Sequence, residues 1–161
     1  MKTYLIKYNR KNVHSFNDMH PESPTATGKH IRFLPGVNEL SETDYNALMG
    51  IGKEFKDKAG NVMVDEKGKP LSIPHPLFMS FLNTRVPGQE RYLTWIAGAS
   101  PQDKEPKTVN EMTEDSALEV IDFTFSADLL NKWLEKAKNP NLIKAMKEQI
   151  EKLKLPDQKV A

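Results

Sequence analysis

The sequence predicts an α+β fold: a small mixed domain with a β-hairpin or meander and a capped helix, followed by a three-helix C-terminal segment. Two patterns predict it, because apolar residues alternate near the N-terminus and recur at helical spacing near the C-terminus. A third observation is the segment Gly98–Met112, which contains two prolines, many charges and no apolar periodicity. We therefore expect an α+β main domain over residues 1–98, a linker over 99–112 and three helices over 113–155.

The main domain begins with a predicted strand over residues 3–8, where Tyr4, Ile6 and Tyr8 share one face. Residues 9–29 have little apolar content, and we expect a long loop or arm there. Structureless loops of more than about 15 residues are uncommon inside compact domains and are usually functional or disordered. The segment therefore predicts either a flexible tip or an arm that lies on a neighbouring subunit.

The best-specified local structure lies between residues 30 and 50. An apolar, strand-like segment over 31–34 leads into the turn pair Pro35-Gly36, and a helix start follows. Ser41 is a favourable N-cap, and Asp44 three residues later completes a capping-box pattern. The sequence therefore predicts a strand that turns sharply into a well-capped helix.

Residues 55–73 contain two turn signals around a short apolar run, and they predict a small meander. Its predicted strands lie near residues 53–57, 61–65 and 70–73. Because an isolated hairpin is marginally stable in water, the meander must dock on the rest of the domain. A calcium loop is excluded, because Asp57, Asn61 and Asp65 lack the required spacing.

The densest apolar run of the chain covers residues 77–82. Its length fits either a buried strand or two helical turns, and periodicity does not decide between them. Residues 91–96 are rich in aromatic and branched side chains and predict a strand. We expect residues 77–96 to form the core of the main domain.

The C-terminal segment predicts three short amphipathic helices. Thr113 and Ser126 are N-caps of the first two, and Asn139-Pro140 combines a cap with a proline at the first helical position. Apolar residues recur at helical spacing in all three helices. We expect the helices to bury Trp133 in a shared small core.

Composition and charge limit the classes of function. The 161 residues include 23 basic and 22 acidic side chains, and the net charge of +1 gives no global reason for binding nucleic acid or an anionic membrane. The chain has no cysteine, which excludes disulfides, thiol nucleophiles and thiolate metal sites. No segment approaches the roughly 20 apolar residues of a membrane-spanning helix. The N-terminal apolar run is also too short for a signal peptide, so we expect a soluble protein without membrane contact that is not secreted through a cleaved signal.

The four histidines do not predict a metal site or a catalytic site. His14 and His20 share a polar loop without an acidic pair at metal-ligand spacing, so we expect both side chains to be exposed to solvent. His75 lies between two prolines before an apolar run, which favours a packing or surface role.

The carboxylates and glycines are equally uninformative about chemistry. Asp57, Asp65 and Glu66 lie in hairpin turns, which attract such residues for turn geometry alone. No glycine pattern matches a phosphate loop or a dinucleotide fingerprint, and no serine lies in a nucleophile elbow. The sequence therefore predicts no catalytic, cofactor-binding or metal-binding residue, no cofactor and no enzymatic activity.

Basic residues form two groups. Lys7, Arg10 and Lys11 flank the first strand, and a second group lies on the last two helices: Lys132, Lys136, Lys138, Lys144 and Lys147. The helical lysines alternate with acidic residues, which is typical of a solvated face. Four aromatic residues are expected in the core rather than on a base-stacking surface: Phe78, Phe81, Tyr92 and Trp95.

Two segments resemble parts of small proteins encoded in the structural-gene clusters of tailed phages and prophages. Residues 31–48 resemble a strand–turn–helix with a Leu-Pro-Gly-Val-Asn turn before a capped helix that carries an aromatic residue, here Tyr45. Residues 117–153 resemble a short helical appendage, with a Leu-Leu…Trp-Leu helix and a final helix ending Gln-Ile-Glu-Lys-Leu. The chain thus resembles a structural or assembly protein of a tailed phage and is similar to a Mu-like head-region protein.

The resemblance implies a non-enzymatic virion protein that acts through protein–protein contacts in a symmetric particle. It implies other virion proteins as partners, a homo-oligomer within the assembly, and a location in the virion or, during assembly, in the host cytoplasm. It carries no catalytic residues. An alternative hypothesis is a nucleic-acid-associated assembly factor that binds through the C-terminal helices.

Overall fold

Two small antiparallel sheets and five α-helices make up residues 2–17, 30–51 and 55–154, the part of the chain that the structure, a computed structural model, describes. The strands are β1 Thr3–Tyr8, β2 His14–Asn17, β3 His30–Phe33, β4 Gly36–Ser41 and β5 Leu93–Trp95. The helices are α1 Glu42–Met49, α2 Pro76–Asn83, α3 Glu114–Asp122, α4 Ala127–Lys136 and α5 Pro140–Lys154. A short 3₁₀ turn covers Val109–Glu111. The predicted α+β fold is confirmed.

The strand β1 is the centre of the larger sheet, whose order is β4-β1-β5. Both neighbours run antiparallel to it, with Tyr4 opposite Leu40 on one side and Ile6 opposite Trp95 on the other. The predicted strand over residues 3–8 is confirmed, and the strand predicted over 91–96 is present in shorter form. The second sheet contains only the antiparallel pair β2 and β3.

The predicted structureless arm over residues 9–29 is wrong where the structure describes it. Strand β2 lies within that segment and pairs with β3, with Phe16 opposite Ile31. Phe16 is fully buried and packs edge-to-face on Phe33 and Phe78. The single buried ring of Phe16 therefore anchors β2 to the core, although the segment as a whole has few apolar residues. Residues 18–29 lie outside the described residues.

The turn at Pro35-Gly36 leads into strand β4 rather than directly into a helix. Asn38 stabilises the turn, because its side-chain amide donates to the carbonyls of Leu34 and Gly36 at 2.8 and 3.0 Å and its Oδ1 accepts from the amide of Leu34. The predicted N-cap is confirmed, since Ser41 Oγ accepts from the amide of Asp44 at 3.1 Å. Ser41 thus ends β4 and begins α1, which leaves no loop between them.

Two features of the structure require glycine at position 36. Its φ of +86° is unfavourable for other residues. A Cβ atom there would lie 2.2 Å from the carbonyl oxygen of Phe123. The amide of Val37 donates to that same carbonyl at 2.8 Å, so this glycine allows the start of β4 to contact the turn after α3.

Two hydrophobic clusters lie on opposite sides of β1. Leu5 belongs to the first, which it shares with helices α3, α4 and α5 through residues such as Leu130 and Trp133. Ile6 and Tyr8 belong to the second, which contains α1, α2 and the smaller sheet. The predicted burial of Trp133 is confirmed.

The segment predicted as a linker contributes to the first cluster. Ala99 and Val109 are fully buried there, and the carbonyl of Ala99 accepts from the amide of Leu5 at 3.0 Å. The three C-terminal helices therefore pack against the sheet through a common core that includes part of residues 99–112.

The helix caps follow the sequence closely. Thr113 and Ser126 accept from the amides of Ser116 and Leu129, as predicted. Asn139 Oδ1 accepts from the amide of Asn141 at the start of α5, which begins at the predicted proline.

The apolar run over residues 77–82 forms helix α2, which resolves the alternative that periodicity left open. His75 caps this helix, because its Nδ1 accepts from the amide of Phe78 at 3.4 Å. The prediction that residues 77–96 form the core is only partly correct. Phe78 and Leu93 are fully buried, whereas residues 83–92 are exposed.

The shared core predicts that sheet and helices unfold together. Replacing Leu5 by Ala should destabilise the fold by about 2–5 kcal/mol, because it leaves a cavity between β1 and the helices. Trp95 and Trp133 report on the two clusters separately, so urea unfolding of L5A is followed by fluorescence in W95F and W133F backgrounds.

We expect both tryptophans to report one shifted transition. The matched control is Leu77→Ala, since Leu77 is 44% exposed and its truncation should change stability by less than about 0.5 kcal/mol. Separate midpoints for the two tryptophans would contradict a common core.

Candidate interaction surfaces

Residues 55–71 form the predicted meander, which is built from two tight turns. Single bridges join Lys56 to Val62 and Val64 to Pro70, so the predicted strands are reduced to isolated pairs. The amide of Met63 donates to the carbonyl of Phe55 at 2.7 Å, and the amide of Leu71 donates to that of Met63 at 2.9 Å. Residues 53 and 54, at the start of the first predicted strand, lie outside the described residues.

The two turns have the same hydrogen bonds. Asp57 Oδ1 accepts from the amides of Ala59 and Asn61, both at 2.9 Å. Asp65 Oδ1 accepts from the two equivalent amides of the second turn at 2.8 and 3.0 Å. Asp57 and Asp65 therefore hold the two turns, as the sequence predicts.

The positions of the glycines complete this equivalence. Gly60 and Gly68 have φ values of +86° and +78°, which fits a three-residue hairpin loop closed by a left-handed glycine. Each glycine follows its aspartate by three residues, and the two aspartates are eight residues apart. The two turn signals in the sequence predict the turns but not their equivalence, which the recurring Asp-x-x-Gly pattern marks.

The meander is ordered by its backbone while most of its side chains remain in water. Phe55 is fully buried at its base. Val62 and Val64 are 38% and 53% exposed. Because the hydrogen bonds that hold the turns are local, Val62 and Val64 can contact another molecule without rearrangement of the chain.

A pocket of about 380 Å³ lies between α1, α2 and β5. Its described lining is Tyr45, Met49, Met79, Leu82, Asn83, Arg91, Leu93, Thr94, Trp95 and Gln102. Burial raises the pKa of the Tyr45 phenol above its ordinary range, so this hydroxyl keeps its proton at neutral pH.

A cationic pocket of about 320 Å³ lies beside the pairing of β1 and β5. Its described lining is Lys7, Asn9, Arg85, Gln89, Glu90, Arg91 and Thr94. Lys7 belongs to β1, whereas both arginines belong to the connection between α2 and β5. Within the described residues, no carboxylate lies within ion-pair distance of these three cations.

The structure therefore extends one of the two predicted basic groups. Lys7 is joined by Arg85 and Arg91, which the sequence places far from it. Arg10 instead stacks on the ring of Tyr92 at 3.8 Å and donates to the carbonyl of Glu90 at 3.1 Å.

Two further pockets continue this surface. An apolar pocket of about 270 Å³ is lined by Lys7, Val37, Thr94, Trp95, Ile96, Ala97, Met112, Ser116, Glu119, Val120 and Phe123. An acidic pocket of about 350 Å³ is lined by Leu118, Glu119, Ile121, Asp122, Ala145, Glu148, Gln149 and Lys152. Lys7 and Thr94 also line the cationic pocket, and Glu119 lines both of the others.

The lysines of the C-terminal helices are partly paired. Lys132 forms an ion pair with Glu39 of β4, and Lys144 lies 4.0 Å from Glu148 one turn along α5. These contacts are consistent with the solvated, mixed-charge face that the sequence predicts.

The aromatic residues lie mostly where the sequence places them. Phe78 is fully buried, and Phe81 and Trp95 are partly buried against the second cluster. Tyr92 is the exception, because its ring is exposed and lies under the guanidinium of Arg10.

His14 does not have the exposed position that the sequence predicts. Its ring packs against Phe16 and Phe81, with centroids 4.5 and 4.9 Å away. Its Nε2 is buried and has no hydrogen-bond partner among the described residues, and burial lowers the pKa of the ring. His20, which the sequence groups with it, lies outside the described residues.

Neither a metal centre nor a membrane span is found in the part of the chain that the structure describes. No group of three or more histidine and carboxylate side chains there could hold a metal ion. No described helix combines the length and the apolar character needed to cross a bilayer. Comparison with protein-family models, curated proteins and solved structures finds no match for this chain.

The position of His14 predicts a pH-dependent stability. Because burial lowers its pKa in the folded state, the unfolded chain binds a proton first as the pH falls through about 6.5. Urea midpoints should therefore fall between about pH 8 and about pH 5, and they should fall less in His14→Phe, which has no proton to bind.

The control is His30→Phe, which makes the same substitution at an exposed histidine of the neighbouring strand β3. Equal slopes for wild type and His14→Phe would show that His14 does not contribute.

Proposed function

We propose that this protein is a non-enzymatic structural or assembly protein of a tailed-phage particle, acting through protein–protein contacts in a symmetric assembly. The observation that carries the proposal is the meander over residues 55–71. It is held by local hydrogen bonds, is anchored by Phe55, and presents Val62 and Val64 to solvent. The resemblance of residues 31–48 and 117–153 to proteins of phage structural-gene clusters gives the proposal its biological setting.

The meander suits a docking role because it is already ordered. A segment that folds on binding loses conformational entropy at that moment, whereas a preformed turn does not. Each exposed valine also gains free energy when a partner removes it from water, by about 25 cal/mol per Å² of apolar surface. Other virion proteins are the proposed partners, with assembly in the host cytoplasm and final location in the virion.

The alternative, a nucleic-acid-associated assembly factor that uses the C-terminal helices, receives less support. Two lysines of that surface, Lys132 and Lys144, already have carboxylate partners. Their charge is thereby reduced as a source of attraction for phosphate groups.

Particles purified from the cell that produces this chain test the proposal. We expect the chain at a fixed copy number relative to the other virion proteins, measured by quantitative mass spectrometry. If purified particles lack it, the proposed function is wrong.

The role of the meander is tested with Val62→Ser/Val64→Ser. We expect incorporation into particles to fall, because the apolar contact is lost, while the far-UV circular dichroism and the urea midpoint stay near wild type. Val13→Ser is the matched control, since Val13 is 47% exposed and lies outside the meander. Full incorporation of the double variant would remove the meander from the proposal.

A further inference from the structure

Three neighbouring pockets form one continuous surface, which we call the bipolar face. The cationic pocket and the apolar pocket share Lys7 and Thr94, and the apolar pocket and the acidic pocket share Glu119. The apolar pocket therefore lies between a positive and a negative end.

The two ends of the bipolar face carry opposite net charges. Lys7, Arg85 and Arg91 line the positive end together with one carboxylate, Glu90. The carboxylates Glu119, Asp122 and Glu148 line the negative end together with one cation, Lys152, and Glu148 also lies 4.0 Å from Lys144. The negative end therefore owes its net charge mainly to Glu119 and Asp122.

The middle of the bipolar face is apolar and partly open. Trp95, Ile96, Met112, Val120 and Phe123 all line the central pocket. Phe123 is 38% exposed, and Lys7 Nζ lies 3.7 Å from the centre of its ring. A partner that covers this pocket removes apolar surface from water.

We infer that the bipolar face is the interface of a two-fold symmetric dimer of this chain, an inference that rests on the proposed assembly function. In a two-fold interface the same surface lies on both copies and must be self-complementary. A two-fold axis that passes through the apolar pocket at right angles to the line between the two ends places the positive end of each copy on the negative end of the other. The two apolar pockets then cover each other.

A second copy satisfies the bipolar face better than a polyanion does. A nucleic-acid strand that lies on Arg85 and Arg91 gains from the positive end only, while Glu119 and Asp122 repel it. The apolar pocket between them would also stay uncovered by phosphates. A second copy complements all three parts, and complementary charge fixes its orientation.

Charge reversal tests the dimer. The first variant is Arg85→Glu/Arg91→Glu, and the second is Glu119→Lys/Asp122→Lys. The solution mass of each is measured by sedimentation equilibrium, and the fold is checked by circular dichroism. We expect wild type to be a dimer that weakens as salt is raised, and each variant to raise the dissociation constant at least about a hundredfold through like-charge contacts.

Mixing provides the decisive measurement. Each variant alone has two ends of the same sign, but an equimolar mixture pairs a negative copy with a positive one and should form a heterodimer. The variant with all four substitutions exchanges the two ends and should dimerise like wild type. Lys11→Glu/Lys104→Glu is the matched control, because it makes the same charge change as the first variant at two exposed lysines outside all three pockets and should leave the mass unchanged.

The inference is overturned if wild type is a monomer, if charge reversal leaves the dimer intact, or if folded variants fail to associate on mixing. It is also overturned if monomeric wild type shifts duplex DNA at low salt and the first variant does not. None of these results decides the proposed function, because presence of the chain in purified particles is measured independently.

Discussion

The antiparallel pairing of β1 with both of its neighbours is the constraint on which the rest of the structure depends. Alternation along the strand sends Leu5 into the cluster shared with the C-terminal helices and Ile6 into the cluster beneath α1 and α2. A shift of register by one residue would exchange these side chains and expose both clusters. The two halves of the molecule are therefore stabilised by one strand, and neither cluster is complete without it.

The same pairing positions the cationic pocket and the rest of the bipolar face. Because Lys7 lies opposite Thr94, the exposed connection that carries Arg85 and Arg91 comes next to the N-terminal strand. On the other side of β1, the start of β4 contacts the turn after α3 through Gly36 and Phe123. The positive end of the bipolar face and the helical face that supplies its negative end are thus both held by the larger sheet.

Local signals in the sequence predict local structure well. The caps at Ser41, Thr113 and Ser126 are hydrogen bonds between residues three positions apart, so both partners of each bond lie in one short stretch of sequence. Strand β2 is different, because its partner is distant and Phe16 is its main buried side chain. The sequence does not predict strand β4, because its polar residues Asn38 and Glu39 interrupt the apolar pattern. The cationic pocket could not be predicted, since a single sequence does not show that Lys7 and Arg91 become neighbours. The meander could be predicted in outline, because its turns are defined by aspartate and glycine nearby in the chain.

The meander also has a consequence for how far the protein reaches. Its two turns are joined by equivalent backbone hydrogen bonds at Phe55, Met63 and Leu71, and each turn reverses the direction of the chain. One additional turn would send the outgoing chain the opposite way, whereas a pair of turns would restore its direction. Because most side chains of residues 56–70 are in water, such an insertion needs no change in either hydrophobic cluster. The width of the meander is therefore set by the number of its turns and can vary independently of the rest of the fold.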